Sequence, residues 1–142
     1  MFGIFLAQKL HGKPLTIVGD GNQTRDFTHV SDIVKALIAA ANSDISGEVF
    51  NVGSGQIYSV NHIAGLLGGE TTNIPKRPGE PDCTFADISK IKEFLKWVPS
   101  VPINIGVKEL EDNISDWRMA PVWNEMTIAD VTKNWFKHLG TN

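Results

Sequence analysis

Apolar positions along this chain recur at helical spacing in several separate stretches, with short apolar runs and glycine or proline punctuation between them. Phe2, Ile4, Phe5, Leu6 and Leu10 predict a helix over 2–10 that buries one broad face, ended by Gly12 and Pro14. Leu15 to Val18 then reads as a short strand. Ile33, Val34, Leu37, Ile38 and Ala41 mark the apolar side of a second helix, with Ser31 as its expected cap and Asp32 suited to the positive end of its dipole. Val49, Phe50 and Val52 predict a strand over Glu48 to Val52. Ser59 caps a helix carrying Val60, Ile63, Ala64 and Leu67, which Gly68 and Gly69 terminate. Thr71 to Ile74 reads as another strand. Asp87 is the expected cap of a helix that turns Ile88, Ile91 and Leu95 inward. After the bend Pro99 to Pro102, a longer helix is expected from about Ile105, with Val107, Leu110, Ile114 and Trp117 at spacings of three and four. Thr127 with Asp130 has the form of a capping box for a last helix, with Ile128, Val131, Trp135 and Leu139 inward and Gly140 as its stop.

Composition narrows the class of protein. With 142 residues the chain is read as a single domain, 1–142. Hydrophobic residues at 42% and charged residues at 20% favour neither disorder nor a membrane span. A formal net charge of −3 argues against a nucleic-acid surface, so any phosphate site has to be a local device. Cys83 is the sole cysteine, which excludes an intramolecular disulfide and fits a reducing compartment. The apolar start lacks a basic segment and meets Gln8 and Lys9 too soon for a signal peptide, so a cytoplasmic location is expected.

The stretch from Thr16 to Ser31 concentrates the chemistry. A short strand runs into Gly19-Asp20-Gly21, a tight turn in which glycine reaches positive φ without steric cost. Arg25 follows between polar residues, held at the mouth of a cleft rather than on a free surface. Gly19, Gly21, Gln23, Arg25, Asp26, Phe27, Val30 and Asp32, in this register, closely resemble a segment of the extended short-chain dehydrogenase/reductases, the NAD-dependent nucleotide-sugar epimerases and dehydratases. The resemblance implies an α/β chain: a small, mixed α+β substrate-binding portion that lacks the amino-terminal Rossmann half. It also implies that Arg25 holds the diphosphate of a sugar nucleotide.

Arg77, in the proline-fixed loop Pro75 to Pro81, matches the family's second arginine. A planar guanidinium gives two parallel hydrogen bonds to a phosphate, where lysine gives a point charge. Arg25 and Arg77 are therefore read as a two-sided diphosphate clamp, against the alternative of two surface arginines in weak ion pairs. Glu80 stands where the family often carries Asp, at a position that contacts the sugar or ribose. By the same resemblance Leu15, Thr16 and Ile17 lie beside the nucleotide base, although a core strand has the same pattern. Phe27 is either a wall of the cleft or core. Ala86-Asp87-Ile88-Ser89-Lys90 also matches the family, and Asp87 is read as structural.

Other candidates do not build a site. Gly53-Ser54-Gly55 has the strand-to-helix context of a dinucleotide loop, yet Tyr58 stands where the third glycine belongs. Tyr58 is followed four residues later by His62 rather than the lysine that the family's catalytic tyrosine needs. His11, His29 and His138 have no paired ligand at metal spacing, and Cys83 is read as a small, semi-buried filler. The sequence holds no Tyr-x-x-x-Lys pair and no Gly-rich cofactor loop, so no catalytic and no cofactor-binding residue is assigned. NAD is expected in the complete enzyme, not on this chain alone. The chain is thus read as the UDP- or dTDP-sugar-binding portion of an epimerase or dehydratase. The alternative is a non-catalytic protein-interaction module. In the resembled family the helix from Ser31 to Ala41 and the strand from Glu48 to Val52 pack onto the cofactor half, so the resemblance implies that both are uncovered here and points to a homo-oligomer or a separate cofactor-binding chain as partner.

Overall fold

A computed structural model describes residues 1–140 of the chain. Helix α1 (Phe2–Leu10) leads through a glycine turn to β1 (Leu15–Val18), and a two-residue strand β2 (Thr24–Arg25) precedes α2 (Val30–Ala41). A long irregular segment then reaches β3 (Tyr58–Ser59), α3 (Val60–Leu67) and β4 (Thr71–Ile74). The remainder is helical: α4 (Ser89–Leu95), α5 (Ile103–Asp112), a short 3-10 turn (Ile114–Trp117) and α6 (Glu125–Leu139). β1 and β4 pair in parallel with Leu15 opposite Thr71, and β2 pairs antiparallel with β3, Arg25 opposite Tyr58.

Two apolar clusters hold these elements. In the first, Phe5 and Leu6 of α1, Leu15 and Ile17 of β1, Ile63 and Leu67 of α3 and Val107 of α5 exclude water almost completely. Each such side chain contributes about 1.5–3 kcal/mol by leaving water. The second gathers Ala36 of α2, Ile88, Ile91 of α4 and Trp97, with Phe50 and Val52 against them.

Several expected boundaries move. The cap of α2 is His29, whose Nδ1 accepts from the Ser31 amide, so Ser31 lies inside the first turn. Residues 48–52 form no strand, because no other stretch among the described residues lies alongside to complete a ladder, and Val49 is exposed. Asp87 accepts from the Ser89 amide one position ahead of the helix cap, Ile88. α5 starts at Ile103 behind Pro102 and stops at Asn113, leaving Ile114 and Trp117 on a separate 3-10 turn. The capping box of α6 is Asn124 with Thr127, not Thr127 with Asp130. Along α6 only Ile128 is buried, while Val131, Trp135 and Leu139 are exposed. Cys83, expected to be semi-buried, is exposed beside Thr24. α2 likewise turns Val30, Val34, Leu37 and Ile38 outward.

Asp32 anchors the junction between α2 and the Pro99–Pro102 bend. Its carboxylate is 1% exposed and accepts from the Ser100 amide (2.9 Å), the Ser100 hydroxyl (2.7 Å) and the Val101 amide (2.9 Å), with Lys35 at 3.2 Å. Burial alone pushes its pKa up, but the bonds from Ser100, Val101 and Lys35 outweigh burial and hold it at about 2. A carboxyl that ionises more readily folded than unfolded stabilises the fold above pH 4. That stability, about 2 kcal/mol, is lost as the pH falls toward 2. Denaturant titrations should therefore show Asp32→Asn weaker than the parent by about 2 kcal/mol at pH 7. The two should converge near pH 2, and parallel pH profiles would contradict the assignment.

Candidate functional site

The turn that launches the site is built from the chain's own polar groups. Gly19 and Gly21 both adopt positive φ, at 62° and 75°. At Gly21 a Cβ would strike the Asn61 side chain and lie 2.7 Å from Ile17 Cγ2, so the backbone approach itself demands glycine. Asn61 donates to the Asp20 carbonyl (2.9 Å), and Gln23 donates to the Val18 carbonyl (2.9 Å). The turn thereby delivers Thr24 and Arg25 between two neighbours, β3 on one side and residues 82–84 on the other.

Asp26 locks that arrangement. One carboxylate oxygen accepts from the Ser54 amide and hydroxyl, both at 2.6 Å, and from Thr28 at 3.4 Å. The other accepts from the amides of Gly55 and Ala86, each at 3.3 Å. Gly53 completes the contact, since a Cβ there would stand 2.5 Å from Ala86 Cβ and 2.6 Å from Asp26. The Ser54 and Gly55 amides are therefore committed to a protein carboxylate. The Gly53-Ser54-Gly55 turn does not fit a dinucleotide phosphate.

With β2 fixed, Arg25 faces a cavity of about 190 Å³ between the start of α1, β1 and β4, the Pro75–Pro81 loop and the start of α6. Arg25, Arg77, Glu80, Phe27 and Thr16 all line it. Leu15 and Ile17 do not, because in a strand alternate side chains face opposite sides and these two point into the first apolar cluster. Thr16 reaches the cavity with its backbone amide donating to Gln8 Oε1 (3.1 Å), while Gln8 Nε2 donates to the Thr16 hydroxyl (3.0 Å). Phe27 packs edge-on against Phe2 at 5.4 Å between ring centres and is both wall and core margin.

The charged groups are only partly satisfied. Arg25 Nη2 meets Glu80 Oε1 at 3.3 Å, with the side chains 20% and 26% exposed, and its Nη1 donates to the Thr24 carbonyl at 2.8 Å. Among the described residues, Arg77 Nε and Glu80 Oε2 are buried without a hydrogen-bond partner. Unmatched buried donors and acceptors are costly, so a cavity lined by both is suited to a ligand that supplies both an acceptor and a donor.

Sequence patterns did not mark several other parts of the cavity. Ile128 arrives from α6, more than a hundred residues from Thr16, and Ile4 and Phe5 arrive from α1. Gln8 ties the C-terminal segment to β1 by donating to the Trp123 carbonyl at 2.8 Å. Tyr58 and His62 stack on each other with ring centres 5.1 Å apart. No cluster of His, Cys, Asp or Glu suited to a metal ion occurs among the described residues, and no helix there is long and apolar enough to cross a membrane.

Comparison with known proteins agrees with this architecture. Residues 1–53 match the NAD dependent epimerase/dehydratase family. The chain is 38% identical over 111 residues to UDP-glucuronic acid decarboxylase 1 of Xenopus tropicalis, covering 74% of this chain and 26% of that protein. It is also 38% identical over 113 residues to an uncharacterised UDP-glucose epimerase of Bacillus subtilis, covering 75% and 36% respectively. Among solved structures, the UDP-glucuronic acid 4-epimerase of Bacillus cereus, in complex with UDP-glucuronic acid and NAD, superposes with a TM-score of 0.76 at 36% identity. That match covers 81% of this chain and 39% of the enzyme. The chain thus spans well under half the length of these relatives.

Replacing Asp26 removes the acceptor for four residues, Thr28, Ser54, Gly55 and Ala86, at once. Asp26→Ala should cost on the order of 2–4 kcal/mol in chemical denaturation, with Asp26→Asn recovering only part of it. A loss below about 0.5 kcal/mol would show that the loops hold without the carboxylate.

Proposed function

We propose that this chain, which sequence and fold both relate to the NAD dependent epimerase/dehydratase family, is the nucleotide-sugar-binding portion of such an enzyme and does not catalyse by itself. The observation that carries this reading is the convergence of Arg25 and Arg77 on one cavity, with Arg77 Nε and Glu80 Oε2 both unpartnered. The two guanidinium groups suit the two phosphates of a UDP- or dTDP-sugar, and the relative of known structure was solved with UDP-glucuronic acid bound. Arg25 exchanges its Glu80 partner for a phosphate oxygen. Glu80 Oε2 then accepts from a sugar or ribose hydroxyl, and Thr16 with Phe27 shapes the wall. Leu15 and Ile17 support that wall from behind.

At about 190 Å³ the cavity is smaller than the roughly 300–1,000 Å³ of ordinary small-molecule sites, so it encloses part of such a ligand and leaves the rest for another wall. The exposed apolar side of α2, which does not line the cavity, is the place for a partner of its own, a second copy of this chain or a separate cofactor-binding chain that brings NAD. No residue here is assigned to hydride transfer, which belongs to the cofactor. A cytoplasmic location fits this role for a chain whose one cysteine, Cys83, is free and exposed.

Calorimetric titration with UDP, dTDP, UDP-glucose and NAD tests the reading. Sugar nucleotides should bind and NAD should not. Arg25→Ala and Arg77→Ala should each weaken binding by roughly tenfold or more, since a charged hydrogen bond contributes about 1.5–3 kcal/mol. Unchanged affinity in both variants would refute the clamp. The alternative, a non-catalytic interaction module, is favoured by the bare α2 face and predicts association independent of nucleotide. Sedimentation at high concentration should show self-association that Leu37→Glu abolishes, and a monomer at every concentration would exclude the homo-oligomer.

A further inference from the structure

We propose that Trp135 of α6 is a positioning residue for Arg77, so that the last helix of the chain governs the diphosphate clamp. The inference rests on the clamp reading above and adds a residue that the sequence placed only on an inward helix face.

Trp135 is not held by burial, being 42% exposed. Its contacts are specific instead. The indole Nε1 donates to the Pro78 carbonyl at 2.7 Å, the backbone immediately after Arg77. The ring also faces the Arg77 guanidinium, whose Cζ lies 6.0 Å from the ring centre, within reach of a cation–π attraction. Leu139, four residues on and on the same face, comes close to Gly79, where a Cβ would stand 3.8 Å from Leu139 Cδ1. One face of α6 therefore braces 77–79 from outside.

That face continues into the cavity. Ile128, seven residues before Trp135 and so on the same side of the helix, lines the cavity directly. The start of α6 is pinned by the Asn124–Thr127 capping box, by Thr72 donating to Glu125 Oε1 at 2.6 Å and by Gln8 holding the Trp123 carbonyl. α6 is thus anchored at its beginning to the sheet and touches the arginine loop about three turns later. Gly79 adopts a φ of 73° and Pro78 precedes it, and the Glu80 amide donates to the Arg77 carbonyl at 3.4 Å, so the turn has a fixed shape, to which Trp135 adds a hold from outside. Arg77 itself lines the cavity, and its Nε is buried there without a hydrogen-bond partner among the described residues. The tryptophan touches no ligand in this scheme and acts through Arg77 alone.

The test is UDP affinity by calorimetry for the full chain and for Trp135→Ala, Trp135→Phe, Arg77→Ala and the Trp135→Ala/Arg77→Ala double variant, together with the Arg77 Nε–H resonance of each in the absence of nucleotide. Trp135→Ala should weaken UDP binding by roughly three- to tenfold in the parent and not at all in the Arg77→Ala background. Trp135→Phe, which keeps a ring but loses the donor, should fall between and covers the case in which the alanine variant does not fold. The Arg77 Nε–H resonance should shift in both tryptophan variants. Equal losses in the two backgrounds, or an unmoved resonance, would overturn the positioning role and leave Trp135 as packing. A parent chain that ignores UDP while the resonance still shifts would overturn the diphosphate reading itself, and with it the ligand role of Trp135. A parent that binds UDP with unaltered tryptophan variants would overturn this inference alone.

Discussion

A single carboxylate, that of Asp26, sets the geometry on which the candidate site depends. It sits directly after Arg25 and accepts hydrogen bonds from residues 28, 54, 55 and 86, so it joins segments that are far apart in the chain. Because Arg25 and Asp26 share a backbone in extended conformation, their side chains point to opposite sides. Fixing one toward the loops fixes the other toward the cavity. Asp32 repeats the device six residues later, tying the first turn of α2 to Ser100 and Val101. Asp26 and Asp32 are thus framework, and the arginine is what the framework presents.

Polar satisfaction is distributed unevenly as a result. Asp26, Asp32, Gln8 and Asn61 are each held by several bonds, whereas the groups facing the cavity are incompletely matched. Arg25 is divided between Glu80 and the Thr24 carbonyl, and Arg77 Nε has no acceptor among the described residues. A rigid scaffold surrounding unmatched charge is the arrangement that preorganised recognition of a phosphate requires, since little reordering is needed when the ligand arrives.

The fold also carries surfaces that its own residues do not cover. Val30, Val34, Leu37 and Ile38 line the open side of α2, and the apolar residues of 48–52 lie in an irregular segment, with Val49 bare and Phe50 and Val52 against the second cluster. Those residues have strand-like composition but no neighbour to complete the hydrogen bonds. A strand is a property of a pair, and composition describes only one member. The same reasoning explains why β2 and β3 are two residues long: a ladder is present only where Arg25 and Tyr58 run side by side.

Much was legible from residues close together in sequence. The spans of α1, β1, α3 and β4, the Ser59 cap and the positive-φ glycines of the Gly19–Gly21 turn follow from short-range sterics and periodicity, which act within one or two turns of chain. The same stretch carried the family resemblance for Arg25, and the separate Pro75–Pro81 loop carried it for Arg77. Cap identity was less legible, because Ser31 and Asn124 differ from their neighbours only in which side chain reaches a free amide first. The inward face of α6 was not legible at all: periodicity marks Val131, Trp135 and Leu139 as apolar, but burial depends on what stands opposite. The sequence by itself therefore determined the local elements, the glycine turn and the two arginines, Arg25 and Arg77, that line one cavity. Only the tertiary structure decided that Leu15 and Ile17 turn away from the cavity, that Glu80 answers Arg25 and that α6 comes back to brace Arg77. The Arg25–Glu80 and Trp135–Pro78 contacts join residues 55 and 57 positions apart, beyond the reach of any local rule.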